Sequence, residues 1–225
     1  MCSSDLAGIA TTDPRICSEA KIIPEITFKE AAEMAIFGAK ILHPTTLTPA
    51  KRASIPVFVG SSYEPDAPGT WIKEKSDHQP LVRGITKKDK QGLITVSNPV
   101  MANAHGFLAE IFNLFEQYDV SVDAITTSEI SVAMTVDMPI LENKEFINKL
   151  ETLGKIKIER DYTLVSIIGN KINTTSGIAN KIFQGLGETN VRMICQGASV
   201  HNFCVLVEQQ SGEEAVRCLH AQFIN

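Results

Sequence analysis

The sequence predicts a mixed α/β chain: the end of an α/β domain, followed by two copies of a βαββαβ unit, the first inserted into the second. Three observations carry that reading. The second half matches itself at one offset: Gly106 aligns with Gly177, and the same shift of 177 − 106 = 71 carries Leu93 to Leu164, Val120 to Val191, Ser128 to Ser199 and Val136 to Val207. Within each copy the hydrophobic period switches in the same order, from strand to helix to two strands to helix. Residues 8–75 share none of this and read as the last strand and helix turns of a different α/β domain.

In chain order, residues 28–36 are expected to form a helix with Phe28, Ala31, Ala32, Ala35 and Ile36 inward, stopped by Gly38. A short helix at 45–52 and an apolar strand at 55–59 follow, and 63–70, with two prolines and a glycine, reads as loop. Residues 81–86 form a strand with no neighbour to pair with locally.

Copy one then reads as strand 93–97, a helix burying Phe107, Leu108, Ile111, Phe112, Leu114 and Phe115, strands 120–125 and 132–136, a helix with Phe146, Ile147, Leu150 and Leu153 inward, and strand 155–159. Copy two repeats this with strand 164–168, a helix with Ile178, Ala179, Ile182, Phe183 and Leu186 inward, strands 191–195 and 203–207, and a helix carrying Val216, Leu219 and Phe223. Ser211-Gly212-Glu213-Glu214 reads as the capping box of that last helix. Copy two lacks a closing strand. Strand 81–86 supplies it if copy one is inserted into copy two; truncation at the C-terminus is the alternative. The expected boundaries are 1–78 for the α/β segment, 79–92 for the contributed strand, 93–160 for the first unit and 161–225 for the second.

Composition narrows the function classes. The 225 residues carry a net charge of −5, with the basic residues scattered, so no nucleic-acid or anionic membrane surface is expected. No apolar run approaches the roughly 18–20 residues that cross a bilayer, and no secretory pattern opens the chain, so a cytoplasmic location is expected. Five cysteines without a C-x-x-C read as reduced thiols, with no metal site and no disulfide. The histidines show no nucleophile or metal pattern, and Met101 and Met193 read first as core filler. Met1-Cys2-Ser3-Ser4-Asp5-Leu6 leads abruptly into the middle of a domain. Residues 1–6 therefore read as adapter-derived sequence on a truncated gene, with an unusual native start as the alternative.

Gly8-Ile9-Ala10-Thr11-Thr12-Asp13-Pro14-Arg15, Phe37-Gly38-Ala39-Lys40-Ile41-Leu42-His43-Pro44 and Val59-Gly60-Ser61-Ser62 resemble the C-terminal lobe of the aspartate kinase catalytic domain, an amino-acid-kinase fold. The repeat resembles that family's paired, ferredoxin-like ACT regulatory domains. Ser121-Val122-Asp123-Ala124-Ile125-Thr126-Thr127-Ser128-Glu129 and Arg192-Met193-Ile194-Cys195-Gln196-Gly197-Ala198-Ser199 resemble its lysine-sensitive branch. The resemblance runs in order from Gly8 nearly to the end.

It implies ATP-dependent phosphorylation of L-aspartate to 4-phospho-L-aspartate, with ATP and Mg2+ as the nucleotide, feedback inhibition by L-lysine, and a homodimer joined through ACT domains. It also implies that Arg15, Lys40 and Ile41 line the ATP site; a guanidinium forks onto phosphate oxygens and an ammonium acts as a point charge. Around lysine it implies Met101, Gly106, Phe107, Leu108, Ser121, Val122, Asp123, Thr127, Ser128 and Glu129.

The residue types suit a free amino acid. Gly106 opens a helix whose unpaired N–H groups favour a carboxylate, and Asp123 suits an ammonium. Copy two has Ile194 for Asp123 and Val200 for Glu129, so one effector site per chain is expected, with copy two serving assembly. Three departures from the family matter: Ala10 stands where Tyr or another large residue is usual, the Thr-Asp pair that normally precedes the glycine falls at Ser4-Asp5, and Ala104 replaces a serine. The family's N-terminal phosphate motif and aspartate-binding residues are absent from these 225 residues. No catalytic residue is therefore assigned, and the chain is expected to be catalytically incomplete by itself. A non-catalytic ACT-domain amino-acid sensor or regulatory subunit is the alternative.

Overall fold

The structure is a computed structural model that describes residues 7–39, 46–64, 66–103 and 105–224. Helix α1 (Phe28–Ile36) starts where Thr27 caps it: the Thr27 hydroxyl accepts from the Glu30 N–H at 3.2 Å, and the Glu30 carboxylate accepts from the Thr27 N–H at 2.9 Å. That cap turns Glu30 inward with Phe28, Ala31 and Met34, and leaves Ile36, expected inside, exposed. Strands β1 (Glu25–Thr27), β2 (Val57–Val59) and β3 (Thr70–Lys73) form a small sheet with β3 central, and α2 (Leu47–Arg52) follows α1. The segment's core of Ile9, Ile26, Met34, Leu47 and Ile72 takes in Ile168 from the repeat region.

The repeat region is one six-stranded sheet. Its strands β4 (Val82–Ser97), β5 (Ile125–Thr127), β6 (Ser131–Asp137), β7 (Lys155–Gly169), β8 (Val191–Gln196) and β9 (Asn202–Glu208) lie in the order β5-β6-β4-β7-β9-β8. The expected strands 81–86 and 93–97 are a single strand, as are 155–159 and 164–168. These two long strands run antiparallel at the centre, from Val82 opposite Gly169 to Ser97 opposite Lys155. Each bends at one left-handed residue, Lys90 (φ 58°) or Asp161 (φ 61°), positions that correspond under the repeat.

The bend divides each strand between two cores. Val82 and Ile85 join the core under α5 (Ile178–Leu186) and α6 (Gly212–Phe223), while Ile94 and Val96 join that under α3 (Phe107–Gln117) and α4 (Lys144–Leu153). Alternate residues point to the opposite face. There Leu93, Ala124, Leu164, Met193 and Leu206 pack together as the sheet's edges curl inward, with Cys195 Sγ 3.7 Å from the Ile125 carbonyl.

Three expectations are corrected. The strand expected at 120–125 is the shorter β5. The chain leaves α3 through Asp119 (φ 52°), and the Val120 N–H closes the helix onto the Phe115 carbonyl at 2.9 Å, so Val120 is not free to join a ladder. The capping box expected at Ser211 is absent: a 3-10 turn, Gln209–Ser211, leads straight into α6, Ser211 has helical backbone angles and its side chain caps nothing. Leu108, Phe112 and Phe183, all expected inward, are exposed, because the stripe each helix buries is narrower than its run of apolar residues.

Candidate functional site

In the α/β segment Arg15 is highly exposed and forks onto Asp13, with Nη2 2.6 Å from Oδ2 and Nε 3.0 Å from Oδ1. The guanidinium's hydrogen bonds hold the Asp13 carboxyl below its ordinary value. Exposed pairs of this kind are worth little, so Arg15 can be recruited elsewhere at small cost. Lys40 and Ile41, expected beside it at the nucleotide, lie outside the described residues, as does Ala104.

In copy one, α3 starts at Gly106, whose left-handed backbone (φ 89°) suits glycine alone. Among the described residues no side chain caps it and a Cβ placed there would meet nothing within 4 Å. The first N–H groups of the helix, at the positive end of its dipole, are thus uncapped by the described side chains. Phe107 is buried in the copy-one core, with Met101 and Val122 packed against that core, so these three shape the wall from behind. Leu108, Ser121, Thr127, Ser128 and Glu129 are exposed. Ser128 closes the β5–β6 turn: its N–H donates to the Ser131 carbonyl at 2.8 Å, and its hydroxyl lies 2.7 Å from that of Ser131.

Asp123 is half-buried and already has a partner. Lys88 Nζ lies 2.6 Å from Asp123 Oδ2 and 2.9 Å from Asp137 Oδ1, and Asp137 also accepts from Gln91 Nε2 at 2.8 Å. Burial alone would lower the Lys88 ammonium, but its hydrogen bonds to Asp123 and Asp137 outweigh that and hold it above its ordinary value. Reading the sequence missed Lys88 and Asp137. The available signal was the charged run Lys87-Lys88-Asp89-Lys90 between two apolar strand halves.

Copy two builds the same corner with reversed charges. Glu159, the counterpart of Lys88 under the repeat, takes Arg192 in a fork of 2.6 Å and 3.0 Å. Hydrogen bonds from Arg192, with help from Lys157, depress the Glu159 carboxyl to about 2. Gly177 repeats the left-handed start (φ 77°), but Ile194 and Val200 stand exposed where copy one has Asp123 and Glu129. Its loop instead contacts the α/β segment: the Ser199 hydroxyl and Asn202 amide donate to Glu33 of α1 at 2.7 Å and 2.6 Å. Beside them Glu30, fully buried, accepts from Arg83 of β4 at 2.9 Å and Asn170 at 2.8 Å. Among the described residues no group of three or more His, Cys, Asp or Glu could hold a metal ion, and no helix is long and apolar enough to cross a membrane.

Comparison with known proteins accounts for this arrangement. The amino acid kinase family profile matches residues 1–61, and an ACT domain profile matches residues 165–223. The lysine-sensitive aspartokinase 3 of Escherichia coli K12 is 45% identical over 97% of this chain and 50% of its own length. Of the solved structures, E. coli aspartokinase III in complex with aspartate and ADP (R-state) superposes with a TM-score of 0.90 at 44% identity, over 98% of this chain and 51% of that one. The same enzyme with lysine and aspartate (T-state) gives 0.88 at 45% identity, over 99% and 51%. The chain spans about half the length of the relatives it matches. In sequence and in fold the chain is similar to about half of an aspartokinase, with an amino acid kinase segment followed by a region that carries an ACT domain match.

Proposed function

We propose that the chain is the regulatory half of a cytoplasmic, lysine-inhibited aspartate kinase, which transfers the γ-phosphoryl group of ATP to the β-carboxylate of L-aspartate. Lysine binds in copy one: its α-carboxylate meets the open start of α3 at Gly106, and its ammonium meets Asp123. Phe107, Met101 and Val122 support the wall, and Leu108, Ser121, Thr127, Ser128 and Glu129 line the exposed rim. A second copy of the chain completes the assembly through the ACT units.

Arg15, Lys40 and Ile41 contribute to the nucleotide site. Arg15 exchanges its exposed contact with Asp13 for phosphate oxygens, which need positive charge and donors more than covalent help. Magnesium belongs to the nucleotide substrate.

The observation that carries the effector reading is the contrast between the two copies. Both have the open glycine start, and only copy one sets a carboxylate, Asp123, where copy two has the exposed Ile194. Lysine inhibits by favouring the less active state, since a ligand bound equally by both states shifts nothing. Calorimetric titration of the 225-residue chain with lysine, and with threonine as control, tests this. Saturable lysine binding near one per chain is expected, weakened at least tenfold in Asp123→Ala, the usual scale for losing a charged hydrogen bond. A folded chain that ignores lysine overturns the assignment.

A further inference from the structure

Lys88 belongs to the strand segment that completes copy two, where it sits opposite Leu164, yet its side chain crosses into copy one. There its ammonium bridges Asp123 at 2.6 Å and Asp137 at 2.9 Å. An incoming amino acid whose ammonium is to meet Asp123 finds one of its oxygens, Oδ2, already engaged. Two ammonium ions on one carboxylate repel each other, so each weakens the hold of the other. Lys88 has an alternative: Asp137, pinned by Gln91 at 2.8 Å, can keep the ammonium after Asp123 is surrendered. A lysine side chain suits such a transfer, being a point charge on a flexible four-carbon stem.

We propose that Lys88 is an internal competitor for the effector ammonium, holding Asp123 in the ligand-free chain and withdrawing to Asp137 when lysine binds. The inference rests on the copy-one lysine site proposed above. It deepens that site in two ways. Affinity is reduced by the fraction of chains in which Asp123 is engaged. Selectivity rises too, because a lone cation cannot displace Lys88 unless it brings further contacts, such as a carboxylate for the start of α3. The ammonium raised above its ordinary value by its two carboxylates is consistent with a group that stays charged throughout.

The test is a calorimetric lysine titration of the full 225-residue chain as wild type, Lys88→Met, Asp137→Asn and the double variant, each checked for folding by circular dichroism. Lys88→Met keeps the aliphatic stem and removes the charge, and about tenfold tighter lysine binding is expected as the competing state disappears. Asp137→Asn removes the alternative acceptor and is expected to weaken binding about threefold, an effect that vanishes in the Lys88→Met background if it acts through Lys88. Unchanged or weaker binding in Lys88→Met overturns the inference, as does an Asp137→Asn effect of equal size in both backgrounds. Should Lys88→Met fail to fold, Lys88→Gln replaces it with the same expectation. If neither the folded wild type nor the Lys88 variant binds lysine, the effector-site reading falls and the inference falls with it. That outcome is distinct from lysine binding that is indifferent to residue 88.

Discussion

Ser128 and Ser199 occupy the same position in two copies of one unit, and they do different things. Ser128 stays within its own turn, bonded to Ser131, beside the half-buried Asp123. Ser199 reaches out of its unit to Glu33 of α1, and its neighbour Asn202 does the same. The copies share a frame: the left-handed glycine, the bend at Lys90 or Asp161, and an ion pair in the same corner. Their side chains differ at most positions, and the exposed differences around the loops are the ones that set what each copy can contact. Where copy one keeps carboxylates and an open rim, copy two exposes Ile194 and Val200 and uses its loop to hold the α/β segment. Duplication thus supplied two equivalent scaffolds, and side-chain chemistry made one suited to a ligand and the other to a joint.

The joint offers the most damaging way to test that contrast. Glu30→Ala leaves Arg83, only 3% exposed, without its carboxylate, and also removes the α1 capping box. A loss of about 3–5 kcal/mol in urea unfolding is expected from stranding a buried charge. A loss comparable to a surface change would mean that the buried pair does not hold copy two to the α/β segment.

The two glycines give a matched pair with a smaller effect. Gly106→Ala and Gly177→Ala both place a side chain at a positive φ with open space around it, so about 1 kcal/mol or somewhat more of strain is expected from each. Only Gly106→Ala should alter lysine affinity in a titration. Equal effects on binding would erase the functional distinction between the copies.

Hydroxyl deletions come next. Ser199→Ala loses its bond to Glu33 and should cost about 1 kcal/mol. Ser128→Ala, within an exposed turn, should stay within about 0.5 kcal/mol by thermal unfolding.

The ion pair of copy two adds a subtler pH signature. Glu159 titrates near 2 when folded, against an ordinary value of 4.5. Its contribution is therefore complete above about 4.5 and is lost as pH falls through about 2. Glu159→Gln should flatten the decline in stability between those limits, measured by denaturant midpoint at each pH. An unchanged slope would mean that the Arg192 fork does not persist in solution.

Much of the frame was legible in the chain itself. The constant shift exposed the duplication because the same buried positions, such as Ile111 and Ile182, must fill the same core twice. Asp123 stood out by its contrast with Ile194. Other features left weak signals. β1 and β3 are three and four residues long, too short for a period to register, and their pairing depends on contacts far along the chain. The pattern at Ser211 reads as a capping box and forms none, whereas Thr27-Phe28-Lys29-Glu30 carries one. Hydrogen bonding is decided by backbone angles that a four-residue pattern does not specify.

By itself, then, the sequence determined the repeat, the helix and strand periods within it, the left-handed glycines and the lineage of the motifs, since all of these are local or self-referential. Only the tertiary structure decided which partners the charges take. Lys88 reaches Asp123 across 35 positions because β4 runs through both units and carries a side chain from one into the other, and Glu30 meets Asn170 across 140 because α1 packs against the end of β7. An ion pair forms wherever folding brings opposite charges within a few ångströms, and sequence separation does not encode that distance.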